Sequence, residues 1–88
     1  MPSKLYVGNL SGEVDKGRLQ KLFSAQGEVV SSRLTLDHDT GEFAGFGFVN
    51  MAEESDALKA IMNLNGHDFM GRRLEVRKAK PRNPRALG

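Results

Sequence analysis

The sequence predicts an α+β sandwich of order β-α-β-β-α-β, with a four-stranded antiparallel sheet and two helices on one face. Three observations predict it. Strand and helix signals alternate along the chain, each helix carries a single apolar stripe, and no linker is long enough to divide domains. A chain of 88 residues has room for one domain, which buries roughly two-thirds of its unfolded surface.

Lys4-Leu5-Tyr6-Val7-Gly8 alternates polar and apolar residues and is rich in strand formers, so it reads as a strand ended by Gly8-Asn9. Asp15 is placed to cap a helix whose apolar face is Leu19, Leu22 and Phe23, with Gly27 closing it. Gly17 weakens its first turn, since Gly costs roughly 1 kcal/mol against Ala inside a helix. Val29 to Leu36 reads as a second strand, and Asp37-His38-Asp39-Thr40-Gly41 is turn chemistry. Phe43 to Met51 is a third strand. Glu53 and Glu54 suit the first turn of a second helix, where acids favour the dipole, and its stripe is Ala57, Ala60, Ile61 and Leu64. Asn65-Gly66 turns the chain into a last strand, Leu74-Glu75-Val76-Arg77. Residues 1–80 are expected to form the domain. Residues 81–88, with Pro81 and Pro84, are expected to be a short, basic, disordered tail. This order is the split-βαβ, ferredoxin-like layout.

Composition narrows the function. The chain has no cysteine, which removes disulfides, thiolate metal sites and a cysteine nucleophile. No apolar run approaches the roughly 20 residues that span a bilayer, so no membrane partner is expected. The N-terminus shows neither a signal-peptide core nor an Arg/Ser-rich transit pattern, and a cytoplasmic location is expected. The net charge of +2 hides an asymmetry: residues 72–88 hold seven Lys/Arg and one acid, for +6, while residues 1–71 hold six basic and ten acidic residues, for −4. A basic end on a mildly acidic body suits a polyanionic partner, although a tail that only aids solubility has the same look.

Strand parity sharpens this reading. Leu5, Val7, Val49, Met51, Leu74 and Val76 share the core side, leaving Lys4, Tyr6, Ala44, Phe46, Phe48, Asn50, Glu75, Arg77 and Ala79 on the open side. Gly45 and Gly47 then fall on the core side, where small size is expected to let a helix pack close. A one-residue slip would instead bury Phe46 and Phe48 and expose Leu5, Val7 and Val49. Three rings on an uncovered face, beside Lys4 and Arg77, mark a binding surface. Stacked bases are a sequence-tolerant partner for such rings.

Leu5-Tyr6-Val7-Gly8-Asn9-Leu10 resembles the RNP2 hexamer of the RNA recognition motif, and Ala44-Gly45-Phe46-Gly47-Phe48-Val49-Asn50-Met51 resembles its RNP1 octamer. The likeness runs over about residues 3–80. It is strongest toward the small single-domain members of the family in bacteria. It implies that Tyr6 and Phe48 stack on two successive bases and that Phe46 packs on the sugars between them. It also implies that Arg33, Thr35, Arg77 and Lys80 meet phosphates or base edges. Main-chain groups around Lys78 to Arg82 would read base identity. Lys4 and Arg82 complete the nucleic-acid-binding candidates.

Two positions depart from the family pattern. The first RNP1 position, normally Lys or Arg, is Ala44, so one charge-assisted phosphate contact is missing. The eighth, usually Phe or Tyr, is Met51, which faces the core.

Other signals are poor. His38 and His67 lie in expected loops without metal-ligand spacing, and Asp37, Asp39 and Glu42 lack the EF-hand pattern, so no metal and no cofactor are expected. Met62 and Met70 read as core or loop filler. The reading is a monomeric, non-catalytic module for single-stranded RNA, with single-stranded DNA as a second ligand, weak sequence preference and no small-molecule substrate. A protein-docking member of the same family is the alternative. An acylphosphatase-like enzyme would need a phosphate-cradling loop and a positioned Arg/Asn pair, but the first strand is followed by Gly8-Asn9-Leu10-Ser11-Gly12 with no Arg until Arg18.

Overall fold

Alternation along Ser3–Gly8 makes strand β1, with Leu5 and Val7 fully buried on one side and Lys4 and Tyr6 on the other. The computed structural model describes residues 2–79. After β1 come α1 (Lys16–Ser24), β2 (Val29–Leu36), β3 (Phe43–Met51), α2 (Glu54–Leu64), β4 (Asp68–Phe69), β5 (Arg72–Arg73) and β6 (Glu75–Lys78). The four-stranded sheet has the order β2-β3-β1-β6, and every neighbouring pair is antiparallel. β4 and β5 form a separate hairpin that the sequence does not announce, because two-residue strands are too short to show alternation. The expected domain end at residue 80 and the tail at 81–88 lie outside the described residues.

Both helices pack on one face, α1 along β2 and α2 over β6 and β1. The Asp15 carboxylate accepts the Arg18 N–H at 2.7 Å, satisfying an otherwise orphaned donor, an interaction worth about 1 kcal/mol. Leu19 and Phe23 of α1 are fully buried and share one core with Ala57 and Ala60 of α2 and with Leu5, Val7, Val49, Met51 and Val76. The expected face parity therefore holds on β1, β3 and β6.

Several local expectations need correction. α1 ends at Ser24 with Ala25 as its cap, so Gly27 does not close it; a Cβ on Gly27 would run into the Asp56 side chain of α2. Glu53 is the N-cap of α2, and the acids of its first turn are Glu54 and Asp56. The last strand begins at Glu75, one residue later than expected. Met62 is 83% exposed and belongs to no core, whereas Met70 packs against it.

The glycines of β3 also act differently. A Cβ on Gly47 would strike the Arg33 carbonyl oxygen of β2, so the close neighbour is a strand backbone and not a helix. Gly45 takes φ +94° in open space. It lies where the β2–β3 register shifts between Leu34 and Leu36, the local signature of a bulge.

Candidate nucleic-acid interface

The open face is built row by row from the strand register. Arg33 of β2 pairs with Phe48 of β3, Phe48 with Tyr6 of β1, and Tyr6 with Arg77 of β6, so one row crosses the sheet with a cation at each end. A second row runs through Ser31, Asn50 and Lys4, and the Lys4 carbonyl accepts the Ala79 N–H at 2.9 Å. On the other side of the aromatic row, Gly8 pairs with Glu75.

The rings form one cluster. Tyr6 lies 5.6 Å from Phe46 and 6.0 Å from Phe48, and Phe46 lies 6.0 Å from Phe48, nearly perpendicular to it. Both contacts of Phe48 are edge-to-face, whereas Tyr6 and Phe46 are tilted by 32°. All three rings are half-buried by one another and by the sheet, with no helix over them. Gly8 seats the Tyr6 ring: a Cβ there would lie 2.6 Å from the Tyr6 hydroxyl oxygen. Cations sit against the rings, with Lys4 Nζ 4.8 Å from the Phe48 centroid and Arg77 Cζ 4.5 Å from that of Tyr6. Such contacts are worth roughly 0.5–1 kcal/mol at exposed sites.

Tyr6, Phe48, Arg77, Lys78 and Ala79 line a cleft of about 390 Å³ where the chain leaves β6. Thus Lys4, Tyr6, Phe46, Phe48, Arg33 and Arg77 come together on one face. Lys80 and Arg82 lie outside the described residues. Thr35 sits on β2 with its Oγ1 shielded from solvent and without a hydrogen-bond partner.

Two further residues belong to the face. Asn50 donates its amide to Ser31 Oγ at 3.0 Å, beside Lys4. Glu75 pairs with Arg77 at 3.5 Å. Strand parity places both on the open side, but neither stands out as a ligand by residue type alone. Among the described residues no group of three or more His, Cys, Asp or Glu side chains is placed to hold a metal ion.

A half-open α+β sandwich with a basic, three-ring sheet face defines a class of single-stranded nucleic-acid-binding modules. The pattern of the RNA recognition motif matches residues 5–75, and the chain belongs to that family. It is 47% identical to the putative RNA-binding protein RbpA of Nostoc sp. over 92% of this chain and 79% of that protein. It is also 47% identical to the 29 kDa chloroplastic ribonucleoprotein of Arabidopsis thaliana over 94% of this chain, but spans only 24% of that protein's length. Among solved structures it resembles RNA binding protein PG1, with a TM-score of 0.86 and 42% identity over 92% of this chain and 98% of that one. It also resembles the Sxl-lethal protein in complex with RNA, with a TM-score of 0.86 and 32% identity over 96% of this chain and 50% of that one.

Proposed function

We propose that the chain binds single-stranded RNA on the open face, stacking bases on Tyr6 and Phe48, packing sugars on Phe46 and placing phosphates against Arg33, Arg77 and Lys4. The observation that carries this reading is the uncovered trio of rings, two of which, Phe48 and Tyr6, stand in a row with a cation at each end. The relatives named for ribonucleoprotein and the RNA complex of a structural neighbour support it. Stacking is sequence-tolerant, so we propose weak base preference and single-stranded DNA as a second ligand. We also propose no catalysis, a monomeric state and a cytoplasmic location. Retention of all three rings favours RNA over a protein as the occupant of this face.

Fluorescence anisotropy with short labelled RNA and DNA, at two salt concentrations, tests the proposal. Tyr6→Ala and Phe48→Ala are each expected to weaken binding by roughly 1–3 kcal/mol while the fold survives. Unchanged binding by a folded double variant overturns the stacking platform. No binding by the wild type shifts the face to a protein partner.

A further inference from the structure

We propose that Arg72, held by Asn9, is a second phosphate-binding point at the rim of the sheet, engaging the same nucleic-acid strand beyond the three rings. This rests on the proposed binding of RNA by those rings. Asn9 follows β1 directly and takes φ 57°, a left-handed conformation that Asn tolerates better than most residues. Its Oδ1 accepts from Arg72 Nε at 3.2 Å and from Nη2 at 2.8 Å, while its Nδ2 donates to the Arg73 carbonyl at 2.6 Å.

The acceptor is a neutral amide, so the guanidinium is positioned without being neutralised. Ion pairs among the described residues join Arg18 to Asp15, Arg77 to Glu75 and Lys78 to Glu54, and none of these reaches Arg72. Across the hairpin Arg72 faces Phe69, whereas Arg73 faces Asp68. Of its five N–H donors, those on Asn9 leave the others for a phosphate. The entropy of ordering a long side chain is already lost in the free protein, which favours binding. Asn9 lies three residues beyond Tyr6, immediately past the end of β1. A strand that runs from Tyr6 toward this end of β1 would meet Arg72 next.

The same bonds also fasten the hairpin to β1, so fastening must be separated from phosphate binding. Wild type, Arg72→Gln and the Tyr6→Ala/Phe48→Ala double variant are titrated against labelled four-nucleotide and ten-nucleotide RNAs over a salt series, with thermal melts alongside. Arg72→Gln is expected to bind the longer RNA about fivefold more weakly at low salt, consistent with loss of one charge-assisted contact. Its slope of log K on log salt should be shallower by about 0.7, and its binding of the shorter RNA unchanged. Asn9→Gly, which keeps the left-handed backbone, should weaken the longer RNA in the same way. If Arg72→Gln binds the longer RNA like wild type while the double variant loses it, the phosphate site is overturned and the platform stands. Equal weakening on both RNAs with a lowered melting temperature leaves only a fastening role and also overturns the site. A folded double variant that still binds overturns the platform, and the rim site with it.

Discussion

Arg77 lies across the ring of Tyr6, its Cζ 4.5 Å from the ring centroid, while its Nη1 stands 3.5 Å from Glu75 Oε2. The cation therefore lies against the ring on which a base is proposed to stack, with a carboxylate beside it. Both charged side chains are more than half exposed, so the ion pair is weak and screened by salt. Glu75 also brings a negative charge to the face proposed to meet phosphates. Glu75→Gln is expected to tighten RNA binding about two- to threefold at low salt, with the gain fading at high salt as screening grows. Anisotropy titrations at both salts check this, and unchanged binding at low salt would show that Glu75 neither restrains Arg77 nor repels the strand.

Gly47 approaches the backbone of β2 so closely that a Cβ would strike the Arg33 carbonyl oxygen. A backbone atom in a paired strand cannot swing aside as a flexible side chain can. Gly47→Ala is expected to destabilise the domain by about 1–3 kcal/mol, the usual cost of overpacking. Gly12→Ala, whose added Cβ meets nothing within 4 Å, is the control and should be close to neutral. Urea unfolding of the two variants makes the comparison, and equal midpoints would remove the argument from close approach.

Strand parity was legible because Leu5, Val7, Val49 and Met51 alternate with polar or aromatic residues, and a one-residue slip would exchange the two faces completely. The reason for Gly47 was not legible, because it depends on a carbonyl of another strand that only the β2–β3 register brings near. The β4–β5 hairpin was hidden for a related reason. Its strands are two residues each, and its turn places Met70 at φ 54°, a conformation that residue type does not suggest. The Asn9–Arg72 tie depends on that hairpin, so it too was out of reach. Of the face itself, the rings and Lys4, Arg33 and Arg77 could be placed from parity and motif. The shielding of Thr35 Oγ1 depends on packing that neither describes.

Ala44 is exposed at the start of β3, next to the left-handed Gly45. The family's basic residue is absent at this position. Ala44→Arg is expected to restore a phosphate contact, strengthening RNA binding severalfold at low salt and steepening the salt slope by about 0.7. The same titrations report both quantities. Unchanged affinity and slope would mean that the bound strand does not pass this end of β3.

Asp37 organises the turn between β2 and β3. Its Oδ1 accepts the N–H groups of Asp39 at 2.8 Å and Thr40 at 3.1 Å, and its carbonyl accepts that of Gly41 at 2.9 Å. The Thr40 backbone N–H, and then that of Asp39, hold the carboxyl below its ordinary value of 3.8. Because the folded state favours the ionised form, the contribution to stability is fully present above that ordinary value and is lost as pH falls through the lower folded one. The turn is exposed, so the loss should be local and the melting temperature near neutral pH should not depend on pH through this group. Amide NMR shifts of Asp39 and Thr40 are expected to titrate together with a midpoint below 3.8, and Asp37→Ala should abolish that titration. A midpoint at or above the ordinary value would show that these bonds do not hold the carboxylate in solution.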